Sequence, residues 1–258
     1  QDQPHSTDCL STPEEHKGMI IIFDRKFEYH CLAVHTSFAY RQLQDFAINA
    51  LEPLPGVAFN MWLWVLGEIM GNYLDIRIAA RGLFSSIATR LHEEWLRGAR
   101  PLIATLFDVQ NELRAMGDSL CSRRIIDWEK YCSGNWAINL VGLPTDIQNF
   151  LITLIVSQIL LYRMANNLRS ARLEVLFVLD EAGPLFKRWY EQQETTYWLT
   201  QCLAQAREYG VGFIIANQGL SDLSHSVLAN TGTKFLVGGA GLGSDYDTFA
   251  SAVSLTRD

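Results

Sequence analysis

Apolar residues along this chain fall into two kinds of run. Short, nearly unbroken runs occur in "GMIIIFD" (18–24), "NWAINLVGL" (135–143), "LEVLFVLD" (173–180), "VGFIIANQ" (211–218) and "GTKFLVGG" (232–239). Each reads as a strand buried on both faces, the habit of a parallel sheet. Longer segments place apolar residues three and four apart, which is helical spacing. They are "FNMWLWVLGEIMGNY" (59–73), "DIRIAARGLFSSIATRLHEEWLRG" (75–98) and "PLIATLFDVQNELRAMG" (101–117), the last opening with Pro101 and closing with Gly117. Thr145 and Gln148 have capping-box spacing ahead of a helix carrying Ile147, Phe150, Leu151, Leu154, Ile155 and Ile159 on one face. A further helix is predicted over about 191–209, ended by Gly210, and a short one over 221–230.

Strand, helix and strand alternate, which predicts an α/β fold: a mainly parallel sheet with helices on both faces. Residues 18–258 form one core with a helical insertion at about 41–134. Residues 1–17 are polar, rich in turn formers and read as a leader or linker. No internal repeat or low-complexity segment interrupts this order. The most apolar stretch, Phe150–Tyr162, is too short to span a bilayer and fits a buried helix. The first residue is Gln1 rather than Met, so the chain is expected to be a piece of a longer protein.

Composition changes the picture little. A chain of 258 residues with 48% hydrophobic and 19% charged residues suits one large domain with ample core. A net charge of −7 does not predict nucleic-acid binding, which would need Lys and Arg concentrated on one surface. Cys9, Cys31, Cys121, Cys132 and Cys202 form no CxxC pair and read as reduced thiols in the cytoplasm. The histidines are dispersed, His30 and His35 being the closest pair, and suggest no metal site. No basic-then-apolar signal-peptide pattern is present at the N-terminus.

In an open parallel sheet, ligands bind outside the carboxyl ends of the strands. Three of the strands predicted here end there in polar groups: Asp24, the pair Asp180 and Glu181, and the pair Asn217 and Gln218. Adjacent carboxylates at a strand end suit magnesium and a polarised water, Asp180 holding the metal and Glu181 orienting or deprotonating the water. Gln218 could donate a hydrogen bond to a γ-phosphate or to that water. The same residue types also suit ordinary turns and helix caps. A phosphate site further needs a Gly-rich loop carrying Lys and Ser or Thr, and none is present. "GGAGLGSD" (238–245) lacks the Lys and the spacing, and reads as a turn. Trp62 and Trp64 lie at helical spacing and read as core rather than a base-stacking platform. Arg207, two residues before Tyr209-Gly210, complements a helix C-terminus and is also placed to aim a guanidinium at a neighbouring subunit.

Taken in order, "MIIIFDRKFEY", "NALEPLPGVAFNMW", "LEVLFVLDEAGPLF" and "AREYGVGFIIANQGLSDLSHSVLANTGTKFLVG" resemble the HerA/FtsK superfamily of ring-forming, DNA-pumping P-loop ATPases. That superfamily includes the ATPases of conjugation and type IV secretion. The resemblance covers about 18–258 and implies a RecA-like fold, ATP and Mg2+ as ligands, and a homo-hexamer acting on double-stranded DNA in the cytoplasm, with secretion or nuclease partners. It implies Asp180 as the magnesium carboxylate of a Walker B strand, Glu181 as the catalytic carboxylate, Gln218 as the sensor and Arg207 as an arginine finger acting in trans. In "FDRKFEY", Arg25 stands where such proteins often have Pro, and Phe27 where they often have Gly. By the same resemblance the Walker A segment belongs upstream of Gln1, and without it the chain should bind ATP weakly or not at all.

Three readings follow. The first is an ATP-hydrolysing motor core of a DNA translocase whose phosphate-binding loop lies outside this chain. The second is a non-hydrolysing assembly or docking module with a degenerate nucleotide site. The third is a type IV secretion or conjugation ATPase. For DNA contact, Arg123 with Arg124 and Arg169 with Arg172 are the first residues to test, against the plain reading of solvated loop charges.

Overall fold

The computed structural model describes residues 18–42, 50, 53–73, 134–186, 198–220, 222–237 and 243–253. Its strands are β1 (Met19–Asp24), β2 (Phe38–Gln42), β3 (Asn135–Asn139), β4 (Ser170–Leu179) and β5 (Tyr209–Ile215). They form one sheet in the order β2-β3-β1-β4-β5, and every neighbouring pair is parallel. The described helices are α1 (His30–His35), α2 (Phe59–Tyr73), α3 (Thr145–Ala165), α4 (Trp198–Ala206), α5 (His225–Asn230) and α6 (Gly243–Ala252). This is the α/β class with a parallel sheet that the apolar runs predict. Because all strands run one way, their carboxyl ends share one rim.

The most apolar strand takes the centre. In β1, Ile21 pairs with Trp136 of β3 and with Phe177 of β4, and Phe23 stacks on Phe177. Helix α3 is buried without a break from Gln148 to Leu161, the mark of a helix enclosed by protein. Its 21 residues meet the length and composition of a membrane span, but 78% of the apolar window is buried inside the fold. Polar side chains tie it to its neighbours: the Thr153 hydroxyl donates to Tyr73 Oη of α2 (3.0 Å), and Trp198 Nε1 of α4 donates to Ser157 Oγ (2.8 Å).

Several local expectations are corrected. Thr145 does not cap α3; Pro144 occupies the cap position, and Gln148 Nε2 donates back to the carbonyls of Leu140 (3.1 Å) and Leu143 (2.9 Å). Helix α4 ends at Ala206 rather than near 209, and Tyr209 already belongs to β5. Gly210 is left-handed as expected (φ +66°), but inside the strand. A Cβ there would lie 2.7 Å from the Arg172 carbonyl, so the close approach of β4 requires glycine. Residues 233–237, within the strand predicted at 232–239, have no regular structure. Of "GGAGLGSD", residues 238–242 lie outside the described residues, and Gly243–Asp245 open α6. Residues 1–17 and most of 41–134 also lie outside them. Within 41–134, α2 packs on α3 and buries Trp62, Leu66 and Ile69 in the main core, while Trp64 is half-exposed against Trp198.

The position where the resembled family favours Gly has a physical reason. Phe27 is left-handed (φ +65°), a region in which a Cβ costs about 1–2 kcal/mol. Its ring is half-exposed, stacked on His30 at 4.1 Å and edge-on to Tyr40 at 6.0 Å. Phe27→Gly should raise stability by about 0.5 kcal/mol in urea unfolding, the relieved strain exceeding the lost ring contacts. A loss of more than about 1 kcal/mol would reverse that ranking.

Candidate functional site

Strand β1 lies beside β4, so the loop leaving β1 faces the carboxylates leaving β4. Asp24 organises that loop. Its buried carboxylate accepts from the backbone N–H groups of Lys26 (3.2 Å), Glu28 (3.1 Å) and Tyr29 (3.1 Å) and from the Tyr40 hydroxyl (3.0 Å). Burial and this hydrogen bond push the Tyr40 phenol well above its ordinary range. Asp24 is thereby the turn-former of the site.

Asp180 and Glu181 follow the last residue of β4 on the shared rim, both half-buried. Asp180 Oδ1 accepts from the Glu181 N–H (2.9 Å), and Oδ2 accepts from the Tyr29 hydroxyl (3.3 Å). Glu181 is left-handed (φ +50°), a strained state for a residue with a Cβ. Its carboxylate forms an ion pair with Lys26. That contact raises the Lys26 ammonium above its usual value. Burial, then the nearby Asp180 charge, raises the Tyr29 phenol.

Arg25 completes this side. Its Nη2 donates to Asn149 Oδ1 of α3 (2.8 Å), and its Nε–H is buried with no hydrogen-bond partner. Burial lowers the guanidinium from its ordinary value, opposed chiefly by the charge of Glu181. No local pattern in the sequence marks Lys26 or Tyr29 as part of this site. The β1–β4 adjacency that brings this loop to Asp180 and Glu181 is a fact of topology.

On the other side of β4, the Ala182 N–H donates to the Ala216 carbonyl (3.0 Å), and the Gly183 N–H to Asn217 Oδ1 (2.8 Å). Asn217 therefore fixes the turn after the acidic pair. Gln218, the next residue, is exposed on the same rim. Arg207 is exposed at the opposite end of β5, about 20 Å away over seven residues of strand. It cannot reach Asp180 or Glu181 of its own chain. Arg169 is engaged, paired with Glu208 and placed over the Tyr209 ring at 5.9 Å, whereas Arg172 is exposed. Arg123 and Arg124 lie outside the described residues.

Among the described residues no group of three His, Cys, Asp or Glu is placed to hold a metal. Two adjacent carboxylates nevertheless fit the way magnesium is commonly held, by one or two carboxylates with water and phosphate oxygens supplying the rest. The unpaired Arg25 Nε–H fits an additional acceptor beside them. No phosphate cradle occurs among the described residues.

The fold matches a solved structure of VirB4. That protein is from Thermoanaerobacter pseudethanolicus, and the match has a TM-score of 0.61 at 14% identity, covering 93% of this chain and 74% of that one. No family model matches the sequence, and no curated protein does either. At this identity the likeness to VirB4 speaks for the fold alone, a RecA-like α/β core.

Proposed function

We propose that this chain is the larger part of the motor core of a ring-forming ATPase, with the phosphate-binding loop contributed by polypeptide outside it. The observation that carries the reading is the placement of Asp180, Glu181, Asn217 and Gln218 on one rim, beside a loop that presents Arg25 and Lys26. When bound, Mg2+ neutralises charge on the triphosphate and fixes its geometry for attack. Asp180 then serves as the metal's protein carboxylate. Glu181 orients the attacking water, and Gln218 senses the γ-phosphate from the neighbouring strand. Arg25 and Lys26 add positive charge where phosphate charge develops. Arg207, at the far end of β5, acts on the adjacent subunit's nucleotide in a hexamer.

The resemblance of the motif order to HerA/FtsK proteins supports double-stranded DNA as the substrate. The likeness to VirB4 supports the secretion or conjugation reading at least as well. A docking module that has lost hydrolysis draws support from one contact: Lys26 neutralises the carboxylate that should face the water.

The test uses the protein carrying its upstream polypeptide. Magnesium-dependent ATP hydrolysis is expected. Stimulation by double-stranded DNA would favour the translocase, and its absence the secretion motor. Arg207→Ala should lower turnover at least about a thousandfold, the scale of an arginine finger. Mixing Arg207→Ala with Glu181→Gln subunits should restore part of the activity, because one interface then holds both intact groups. No restoration in rings shown to be mixed would count against a shared site, and no hydrolysis by the unaltered protein would leave the docking module.

A further inference from the structure

We infer that Lys26 is a latch on Glu181, opened by the terminal phosphate of a bound nucleoside triphosphate. The Lys26 ammonium pairs with the Glu181 carboxylate. A triphosphate at this rim draws the ammonium to a γ-phosphate oxygen and leaves the carboxylate to the attacking water. No proton moves and no covalent bond changes in this exchange. The change of partner rests on the motor reading; the ion pair does not.

The loop holds its backbone still and leaves this one side chain free to swing. Asp24 accepts from the backbone N–H groups of Lys26 (3.2 Å), Glu28 (3.1 Å) and Tyr29 (3.1 Å), which ties the loop to the end of β1. Arg25 Nη2 donates to Asn149 Oδ1 (2.8 Å), which ties it to α3. The Lys26 side chain is 46% exposed, and its four-carbon stem is flexible. Glu28 and Asp180 also attract the ammonium, each less than Glu181 does. An exposed pair of this kind adds little to folding. A terminal phosphate carries more charge and more acceptor oxygens than a single carboxylate, so it competes well for the ammonium.

Position makes the exchange possible. A water oriented by Glu181 lies against its carboxylate, and the phosphorus which that water attacks lies about 3 Å beyond the water. The ammonium already touches the same carboxylate, so the phosphate falls within the sweep of the Lys26 side chain. While Lys26 holds Glu181 Oε1, ammonium and water compete for that oxygen. A diphosphate has no terminal group to draw Lys26 away and leaves the pair closed. The contact that favours a docking module is then equally what a latched motor requires.

The test follows Lys26 by NMR in the protein carrying its upstream polypeptide, through isotope-labelled methyl groups on its lysines, a change that keeps their charge. Lys26→Arg identifies the signal by its loss. Glu181→Gln should shift that signal without nucleotide, because the pair is broken. Mg2+ with a non-hydrolysable ATP analogue should shift it in the unaltered protein, and Mg2+ with ADP should not. In fluorescence titrations Lys26→Met should weaken binding of the analogue about tenfold, the scale of one hydrogen bond to a charged group, and leave ADP binding unchanged. Lys26→Arg should recover part of that loss. A signal indifferent to Glu181→Gln, or equal responses to ADP and the analogue in either measurement, would overturn the latch. An unmoved signal with the analogue bound would overturn the latch and leave the motor reading. A longer protein that binds neither nucleotide would overturn both.

Discussion

Asp24→Ala should cost about 3 kcal/mol or more of folding stability, measured by urea unfolding of the chain. The carboxylate is fully buried and accepts four hydrogen bonds, three from the backbone of the loop it begins and one from Tyr40. Removing it leaves those part-buried donors without their acceptor, at roughly 1 kcal/mol each. The Tyr40 hydroxyl of β2 loses its partner too, which couples the loss to β2. Asp24→Asn should recover part of the cost, because one oxygen still accepts while the amide N–H2 opposes a donor. The same change should loosen the Lys26–Glu181 and Tyr29–Asp180 contacts, since all of them hang from this loop. A loss below about 1 kcal/mol would mean that the loop holds its shape without Asp24.

Asp24 also shows where reading the sequence stops. Its place at the end of a strand is legible, since "MIIIFD" is an unbroken apolar run closed by a carboxylate. What it does there depends on Tyr40, sixteen residues on in a strand whose pattern is too short to register. β2 has five residues, of which Arg41 and Gln42 are exposed, so it lacks the apolar run that marks β1 or β4. The rim shared by Asp180, Asn217 and Gln218 was legible because in parallel strands a carboxyl end in sequence is also one in space. The neighbour order was not. Only the placement of β1 beside β4 brings Arg25, Lys26 and Tyr29 to the acidic pair, and no local pattern encodes it. The Thr145 cap failed for a related reason: Gln148 turns its amide N–H2 to carbonyls in the loop after β3, and Pro144 holds the cap position. At 232–239 the pattern asks for a strand, and the described sheet offers no partner.

Glu181→Gln should reduce ATP turnover by the longer protein between about a hundredfold and ten-thousandfold, the range for losing a positioned acid–base group. Gln keeps the length and planar end of the side chain but removes the charge and the basic oxygen. On the proposed function nucleotide binding should be retained, because the change leaves Asp180 in place; binding measured by fluorescence would separate it from turnover. Two features of Glu181 argue that its place is held for chemistry rather than for stability. It sits left-handed at φ +50°, where a residue with a Cβ is strained, and it directs its carboxylate to Lys26 on a partly exposed rim. An exposed ion pair of that kind contributes little to folding, so the strain has no evident structural return. Glu181→Gly should accordingly raise stability by about 1 kcal/mol while also losing turnover. A core built only for docking would show the stability gain with no turnover to lose. Undiminished turnover in Glu181→Gln would remove the carboxylate from the reaction and leave Lys26 as its reason for being there.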